Sequence, residues 1–595
     1  MKYRKDIDGL RALAILPVIM YHTGISTFEG GFIGVDIFFV ISGYLITSII
    51  INEINRNNFN LVKFYDRRAK RILPSLFVVM TFSLIMGTQL LMPDELKNLG
   101  QSLVATALFS NNILLAVTGN YWDISSDFKP LLHTWSLGVE EQYYLLFPLL
   151  LIFTWKRKKN LAHLTILGLF LISFIYANYL ATNNPQWSFY LLTTRAWELF
   201  AGSLLAIHQD KIRVFTDRFE LSKYLSTIGI TLIILSIFIF KEHTPSPNYI
   251  FLIPIIGTCL IIIRCDKNTV TYKILSYKPI VFTGLISYSL YLWHQPLFTA
   301  IRIYSISEPS KIYFIIAIIP IFILSYLSYK FIETPIRKSD KTSPRTNLLI
   351  AGSITIFFVL IGGYLNSTYG SLSRGFDKSI NINDLDKRIY NERAFRYKLD
   401  LFTSNKKEKL LITGNSFARD FLNVTIETFD LSETEIIYND KIEPCSVYKL
   451  SHINKELILN ASTIVFANGT YSNECVKQAI QFAEENKKRI FFVGTKHFGY
   501  NINWLAQVPI NKRFNKLNSV PDYILEIERK NKISIPEKYF ISLMDPVVKD
   551  AKIPITDSFG RLISTDKTHL TKFGAIFFGQ NSLKHSSYED IFLRK

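Results

Sequence analysis

Residues 3–48 read YRKDIDGLRALAILPVIMYHTGISTFEGGFIGVDIFFVISGYLITS, and two side chains in this stretch are out of place in lipid. Arg11 is followed by ten residues and then by His22, inside an otherwise apolar run. At ~100° per residue, the helical advance brings the imidazole within about 20° of the guanidinium, roughly 16 Å further along one face. Ionisable groups at membrane depth are costly and face a protein interior or a wet cavity. The stretch therefore reads as a membrane helix with a polar working face. It is not expected to be a removable signal peptide, because Arg11 lies within it and no small-residue cleavage site follows.

The same pattern extends outward. Residues 1–365 alternate apolar runs with short basic loops, whereas 366–595 have the composition of a soluble α/β chain; the mean hydropathy of +0.20 averages the two. A bilayer needs about 20 apolar residues per helix. Eleven segments qualify, near 8–25, 33–52, 73–93, 141–155, 161–180, 190–207, 225–240, 249–264, 281–302, 311–331 and 347–365. Basic clusters fall in alternate loops, among them Lys63 to Arg71, Lys156 to Lys159 and Arg337 to Arg345. The loops between are acidic or nearly neutral, as at Asp94, Glu95 and Asp127. The positive-inside rule then places the N-terminus in the cytoplasm and, after an odd number of crossings, the C-terminal part outside. Much of the net charge of +19 sits in the cytoplasmic loops and calls for no nucleic acid.

Cysteine placement fits this topology. Cys259 and Cys265 belong to the eighth span and its cytoplasmic edge, where thiols stay reduced. Cys445 and Cys475 lie in the external part, where oxidation is expected; the alternative is two unrelated buried thiols. A bridge between them closes a loop of about 30 residues and contributes roughly 3 to 4 kcal/mol on the loop-entropy account.

Further polar groups punctuate the membrane part. Asp36, after Gly30, Gly31 and Gly34, reads either as a partner for His22 or Arg11 or as an interfacial residue at the outer lip of span two. The segment FYDRRAKRILP (64–74) sets Arg67, Arg68 and Arg71 at helical spacing, suited to bidentate contacts with phosphates of a donor arriving from the cytoplasm. In LLHTWSLGVEEQYYLLFP (131–148), Glu140 and Glu141 open a span and can orient or activate a histidine, or serve only structure. Arg195 and Glu198 stand three apart, an intrahelical pair, and SYSLYLWHQP (287–296) carries Tyr291 and His294.

Taken together, DGLRALA (8–14), FFVISGYLIT (38–47), RRAKRILP (67–74), HTWSLGVEEQ (133–142) and SYSLYLWH (287–294) resemble the signatures of the acyltransferase-3 family of membrane O-acyltransferases. That family's hallmark is an Arg, ten residues, then a His in the first span. The resemblance covers about residues 3–340. It implies an acetyl group taken from acetyl-CoA in the cytoplasm and passed across the membrane, with no metal. It also implies His22 as the catalytic residue, Arg11, Arg68 and Arg71 as donor-binding residues, and Glu140 as a pocket residue.

The external part changes character. Residues 366–408 are polar and read as a linker. Short β-rich runs follow at 409–413, 435–439, 463–467 and 489–494 with helical stretches between, the pattern of a parallel sheet with crossover helices. GNSFARD (414–420) puts Ser416 on a strand-to-helix turn, and DKTHLTKFGA (566–575) puts Asp566 three residues before His569. A serine needs a base and the base an orienting group, and these three residues can supply all of them if the fold brings the two ends together. Together they resemble the SGNH hydrolase family, except that Asn415 stands where that family usually has Asp. Asn468 and Gly469 read either as oxyanion donors or as a simple turn.

The expected architecture is thus a multi-pass α-helical membrane domain of about eleven spans followed by an extracytoplasmic α/β domain resembling SGNH hydrolases. Its parts are a transferase domain at 1–340, an additional span at 341–365, a periplasmic linker at 366–408 and the α/β domain at 409–595. The combination resembles bacterial O-acetyltransferases of surface polysaccharides, located in the inner membrane with the C-terminal domain periplasmic or extracellular. The wording of the first span resembles enzymes of lipopolysaccharide O-antigen more than those acting on peptidoglycan, so the expected acceptor is a lipid-linked or lipopolysaccharide glycan. Peptidoglycan is the alternative acceptor. A membrane exporter with an external binding domain is the reading from another class.

Overall fold

The computed structural model describes residues 3–119, 126–218, 220–339, 341–371 and 381–593. The chain divides into two compact units: Met1–Thr88 with Glu95–Arg302 and Pro309–Gly370, and Gln89–Asp94 with Ile303–Glu308 and Ser371–Lys595.

The first unit is helical. Its helices are α1 (Lys5–His22), α2 (Gly34–Asn55), α3 (Leu61–Leu90), α4 (Pro93–Ala107), α5 (Asn111–Thr118), α6 (Thr134–Arg157), α7 (Lys159–Asn183), α8 (Pro185–Tyr190) and α9 (Leu192–Thr216). They continue with α10 (Leu225–Ile239), α11 (Leu252–Arg264), α12 (Val270–Leu275), α13 (Lys278–Leu285), α14 (Ser287–Tyr304), α15 (Lys311–Ser328), α16 (Thr334–Lys338) and α17 (Pro344–Ser367). Each expected span falls on helix, with two differences. The segment at 281–302 is broken at Ile286 into α13 and α14. The loop expected after span three instead carries α4 and α5.

Among the described residues, six helical stretches are long and apolar enough to cross a membrane: Ser26–Asn55, Leu61–Leu90, Lys159–Asn183, Ser222–Ile239, Lys311–Lys338 and Pro344–Ser367. The other expected spans lie on α1, α6, α9, α11 and α14. These helices carry charge within the apolar run, such as Asp8 and Arg11 on α1, or are short, as α11 is at 13 residues. Several of their charged groups are buried inside the unit, among them Asp6 and Asp8 of α1, Arg195 and Glu198 of α9 and Arg264 of α11. The six apolar stretches differ among themselves in burial. The most apolar window of Ser26–Asn55 is 83% buried inside the unit, and that of Pro344–Ser367 only 17%.

Close helix contact at the centre depends on glycine. A Cβ on Gly43 of α2 would stand 1.9 Å from the Leu199 carbonyl of α9, and one on Gly202 of α9 would stand 2.1 Å from the Val40 carbonyl of α2. Small residues let the two backbones approach at these points.

The second unit is an α/β fold. Helices α18 (Ile382–Leu385) and α19 (Lys387–Glu392) precede β1 (Glu408–Thr413), α20 (Ser416–Thr428), β2 (Thr434–Asn439), α21 (His452–Asn460), β3 (Thr463–Phe466), α22 (Asn473–Glu485) and β4 (Arg489–Val493). Then come β5 (Leu517–Ser519), α23 (Asp522–Ser534), β6 (Phe540–Ile541), β7 (Lys552–Pro554) and α24 (Lys572–Asn581). The main sheet has the order β2-β1-β3-β4-β6 with every pairing parallel, while β5 and β7 form a small antiparallel ribbon. Its strands are nearly continuous apolar runs because both faces are covered. Phe421 and Leu422 of α20 and Phe578 of α24 pack on one face, and Leu457 of α21 with Val476 and Phe482 of α22 on the other.

The expected linker is only partly one. Residues 372–380 lie outside the described residues, and α17 runs to Ser367. Beyond them, Leu385, Tyr390 and Ala394 are buried in the core of the α/β unit. Cys445 and Cys475 form a disulfide between the start of α22 and the turn after β2.

Candidate active site

In the helical unit, Arg11 lies on α1 and pairs with Asp8 at 3.0 Å. Together with Arg68 and Arg71 of α3 it lines a cavity of about 310 Å³, walled also by Ser42, Glu140, Tyr144 and Tyr288. Ser42 and the Tyr144 hydroxyl both donate to Glu140 Oε1, which fixes that carboxylate at the cavity wall. The Arg68 guanidinium lies 5.3 Å over the Tyr144 ring, and Arg71 makes no ion pair among the described residues. Three guanidinium groups against one oriented carboxylate suit an anionic, phosphorylated ligand.

His22 lines a different cavity, of about 490 Å³, with Tyr21, Phe32, His133, Trp135 and Tyr190. Tyr291 and Val35 line both cavities, and the Tyr291 hydroxyl meets Ser136 Oγ at 2.5 Å and donates to the His133 carbonyl at 2.7 Å. The shared face expected for Arg11 and His22 thus opens on two chambers with Tyr291 in the wall between them. At the end of α1, His22 Nδ1 lies 2.9 Å from the Val18 carbonyl. A carbonyl only accepts, so Nδ1 holds the proton and Nε2 keeps its lone pair.

Two histidines join it that sequence reasoning did not place. The His294 ring of α14 lies 5.1 Å from that of His22 and 5.3 Å from that of His133. Both added rings are buried. Their motifs were visible as HTW and LWHQP, but nothing local indicates that α1, α6 and α14 bring the three rings together.

Asp36 corrects the expectation. It pairs neither with His22 nor with Arg11. It is fully buried against Arg195 at 3.0 Å, and Arg195 also holds Glu198 at 2.9 Å. Arg195 satisfies two carboxylates between α2 and α9 and is stacked about by the rings of Phe39, Trp135 and Phe189 at 5.3 to 5.7 Å. Glu140, read as able to orient a histidine, belongs instead to the arginine cavity.

In the α/β unit, Ser416 is the first residue of α20, directly after β1, and Asn415 caps the helix by accepting from the Phe417 amide at 2.9 Å. Sheet order changes direction here, since β2 lies on one side of β1 and β3 on the other. Loops at such a switch point leave a crevice beyond the strand ends. Gly414 takes a φ of +134°, and a Cβ there would stand 2.3 Å from Asn468 Oδ1, so the turn after β3 is folded directly onto the turn bearing Ser416. The Asn468 amide donates to the Tyr471 hydroxyl at 3.0 Å, so that amide is engaged within its own turn.

At the far end of the sequence, Asp566 Oδ2 lies 2.7 Å from His569 Nδ1, and Asp566 Oδ1 accepts from the Thr568 and His569 amides at 2.7 Å each. The carboxylate holds the Nδ1 proton and leaves Nε2 as the basic nitrogen. The segment is tied to the serine helix, because the Leu570 amide donates to Asp420 Oδ2 of α20 at 3.2 Å. Asn391, from the supposed linker, donates to the Ser416 carbonyl at 3.2 Å. Its place was not legible, since α19 lacks any motif.

Burial pushes the nearby His497 imidazole down to about 4, with Lys567 adding to the effect and Asp566 opposing it. Glu528, accepting from the Thr495 amide at 2.9 Å, is raised by burial.

Peptidoglycan O-acetyltransferase OatA of Listeria monocytogenes is 35% identical over 351 residues, covering 57% of this chain and 56% of the relative. A putative O-acetyltransferase of Staphylococcus aureus strain MSSA476 is 33% identical over 422 residues, covering 65% and 68%. O-acetyltransferase OatA of Staphylococcus aureus strain MRSA252 is 31% identical over 390 residues, covering 60% and 62%. The chain thus spans little more than half the length of the Listeria relative. No solved structure matches it. Residues 4–330, the segment that builds both the arginine and the histidine cavities, match the acyltransferase domain model of the acyltransferase-3 type, and the chain belongs to that family.

Proposed function

We propose that the chain is a membrane O-acetyltransferase that moves acetyl groups from cytoplasmic acetyl-CoA to hydroxyls of a cell-envelope glycan, with peptidoglycan as the acceptor. The observation that carries this reading is the pairing in one chain of two sites suited to acyl transfer. One is His22 with a free Nε2 beside the arginine cavity; the other is the Asp566–His569 pair tied to the helix of Ser416. Peptidoglycan is preferred to the O-antigen expected from the first span because the Listeria relative carries that substrate in its name.

Arg11, Arg68 and Arg71 bind the donor's phosphates, and the acyl end reaches the histidine chamber past Tyr291. His22 Nε2 attacks the thioester carbonyl, its bond to the acetyl carbon forming as the carbon–sulfur bond breaks, and the thiolate takes the Nδ1 proton to leave as coenzyme A thiol. In the second transfer, His569 Nε2 takes the Ser416 proton while the serine oxygen attacks the acetyl carbon, whose bond to the His22 imidazole breaks, the proton passing to the departing imidazole. The resulting acetyl-serine is resolved when His569 takes a proton from the sugar hydroxyl, whose oxygen attacks in turn and frees Ser416. In sum, acetyl-CoA and a sugar alcohol give coenzyme A thiol and a sugar acetate. Asp566 holds His569 in the tautomer both steps require.

Thiol release from acetyl-CoA in membrane vesicles checks the first stage. His22→Ala is expected to slow it by about 10²-fold or more, the order of effect expected when a positioned catalytic imidazole is lost. Wild-type thiol release in His22→Ala would contradict the proposal.

A further inference from the structure

Asp420 stands one turn beyond Ser416 on α20, with its carboxylate buried. Facing it is Lys496, from the loop after β4, whose Nζ lies 2.8 Å from Asp420 Oδ2; neither side chain is more than 1% exposed. Taking two charges out of water is expensive, and apolar residues of similar volume commonly stabilise a fold as well or better. Stability alone therefore does not explain the pair.

Its other hydrogen bonds do. Lys496 Nζ also donates to the Thr568 carbonyl, and Asp420 Oδ2 accepts from the Leu570 amide at 3.2 Å. Thr568 and Leu570 are the two chain neighbours of His569. The same ammonium lies 4.0 Å over the ring of Phe417, the residue after Ser416. On the opposite side, Asn391 Nδ2 donates both to Asp420 Oδ1 and to the Ser416 carbonyl. Two charges thus grip the backbone on each side of the histidine and hold it against the helix that begins at the serine.

We infer that Lys496 and Asp420 are positioning residues for the second transfer, setting the alignment of His569 with Ser416 without touching the substrate. The inference rests on the reading of Ser416 as a nucleophile. Misalignment of reacting groups by about 1 Å can cost on the order of 10²-fold in rate.

The test uses the full chain in detergent with p-nitrophenyl acetate as the ester, recording kcat, KM and melting temperature for K496M, K496A, D420N, the K496M/D420N double variant and S416A. Each single charge removal is expected to lower kcat by about 10²-fold with KM nearly unchanged. The neutral double variant should recover melting temperature but not kcat, because the Thr568 carbonyl still lacks its donor. Added propylammonium should restore turnover to K496A and not to S416A. Wild-type kcat in K496M, or kcat that returns together with melting temperature in the double variant, would overturn the inference. Full hydrolysis by S416A would instead overturn the reading of Ser416. Should K496M fail to accumulate, D420N and the double variant carry the same readout.

Discussion

At His497 burial and charge together set a pH dependence. Its Nδ1 accepts from the Gly499 amide at 3.0 Å, and burial, with Lys567 beside it, holds the imidazole neutral down to about pH 4. In the unfolded chain the same group titrates near 6.5. Below that value the unfolded state binds a proton that the folded state refuses, so the stabilisation is complete above about pH 6.5 and is lost as pH falls toward 4. A shift of this size corresponds to roughly 3 kcal/mol. Thermal melting of wild type and His497→Asn between pH 7.5 and 4.5 checks it: the wild type should lose the larger share of its stability, and parallel curves would refute the argument. Residue identities were legible in the sequence where partners are local. Asp566 and His569 are three apart, and their bond follows from that spacing. Asp36 was misread because its partner, Arg195, lies 159 positions away, and no local pattern encodes a helix pairing. Lys496 was missed for the same reason, being an ordinary lysine until the fold buries it.

Between helices, α2 and α9 meet where neither has a side chain to spare. Gly43→Ala would drive a methyl to 1.9 Å from the Leu199 carbonyl, and backbone has no rotamer by which to yield. Overpacking of this kind costs about 1 to 3 kcal/mol, and since Ser42 stands beside Gly43 and holds Glu140, the arginine cavity should deform with it. Gly168 on α7 makes the control, with nothing within 4 Å of its would-be Cβ. Gly168→Ala should be neutral or slightly stabilising, since alanine favours helix over glycine by up to about 1 kcal/mol. Melting of the two variants in detergent should separate them, and equal melting temperatures would contradict the close contact. Most elements were readable because period and apolarity mark them. The four runs read as strands are β1 to β4 to within one residue at either end. By contrast, α4 went unread because its 15 residues are half polar, α5 because it has only 8, and α19 because its six residues carry no apolar stripe.

Across the whole molecule, a helical unit with an arginine chamber and a histidine chamber is joined in one chain to an α/β unit with a serine at its switch point. The two-part organisation was legible from composition alone, because lipid and water select different residues. Which polar groups share a chamber was not, since that depends on how helices far apart in sequence pack. In the proposed mechanism, acetyl captured by the first unit is delivered by Ser416 to a glycan. The most direct measurement is the base-labile acetate on peptidoglycan, alongside that on other envelope glycans, from cells carrying wild type, His22→Ala or Ser416→Ala. Loss of peptidoglycan acetate in both variants is the predicted result. Unchanged peptidoglycan acetate in Ser416→Ala would contradict it.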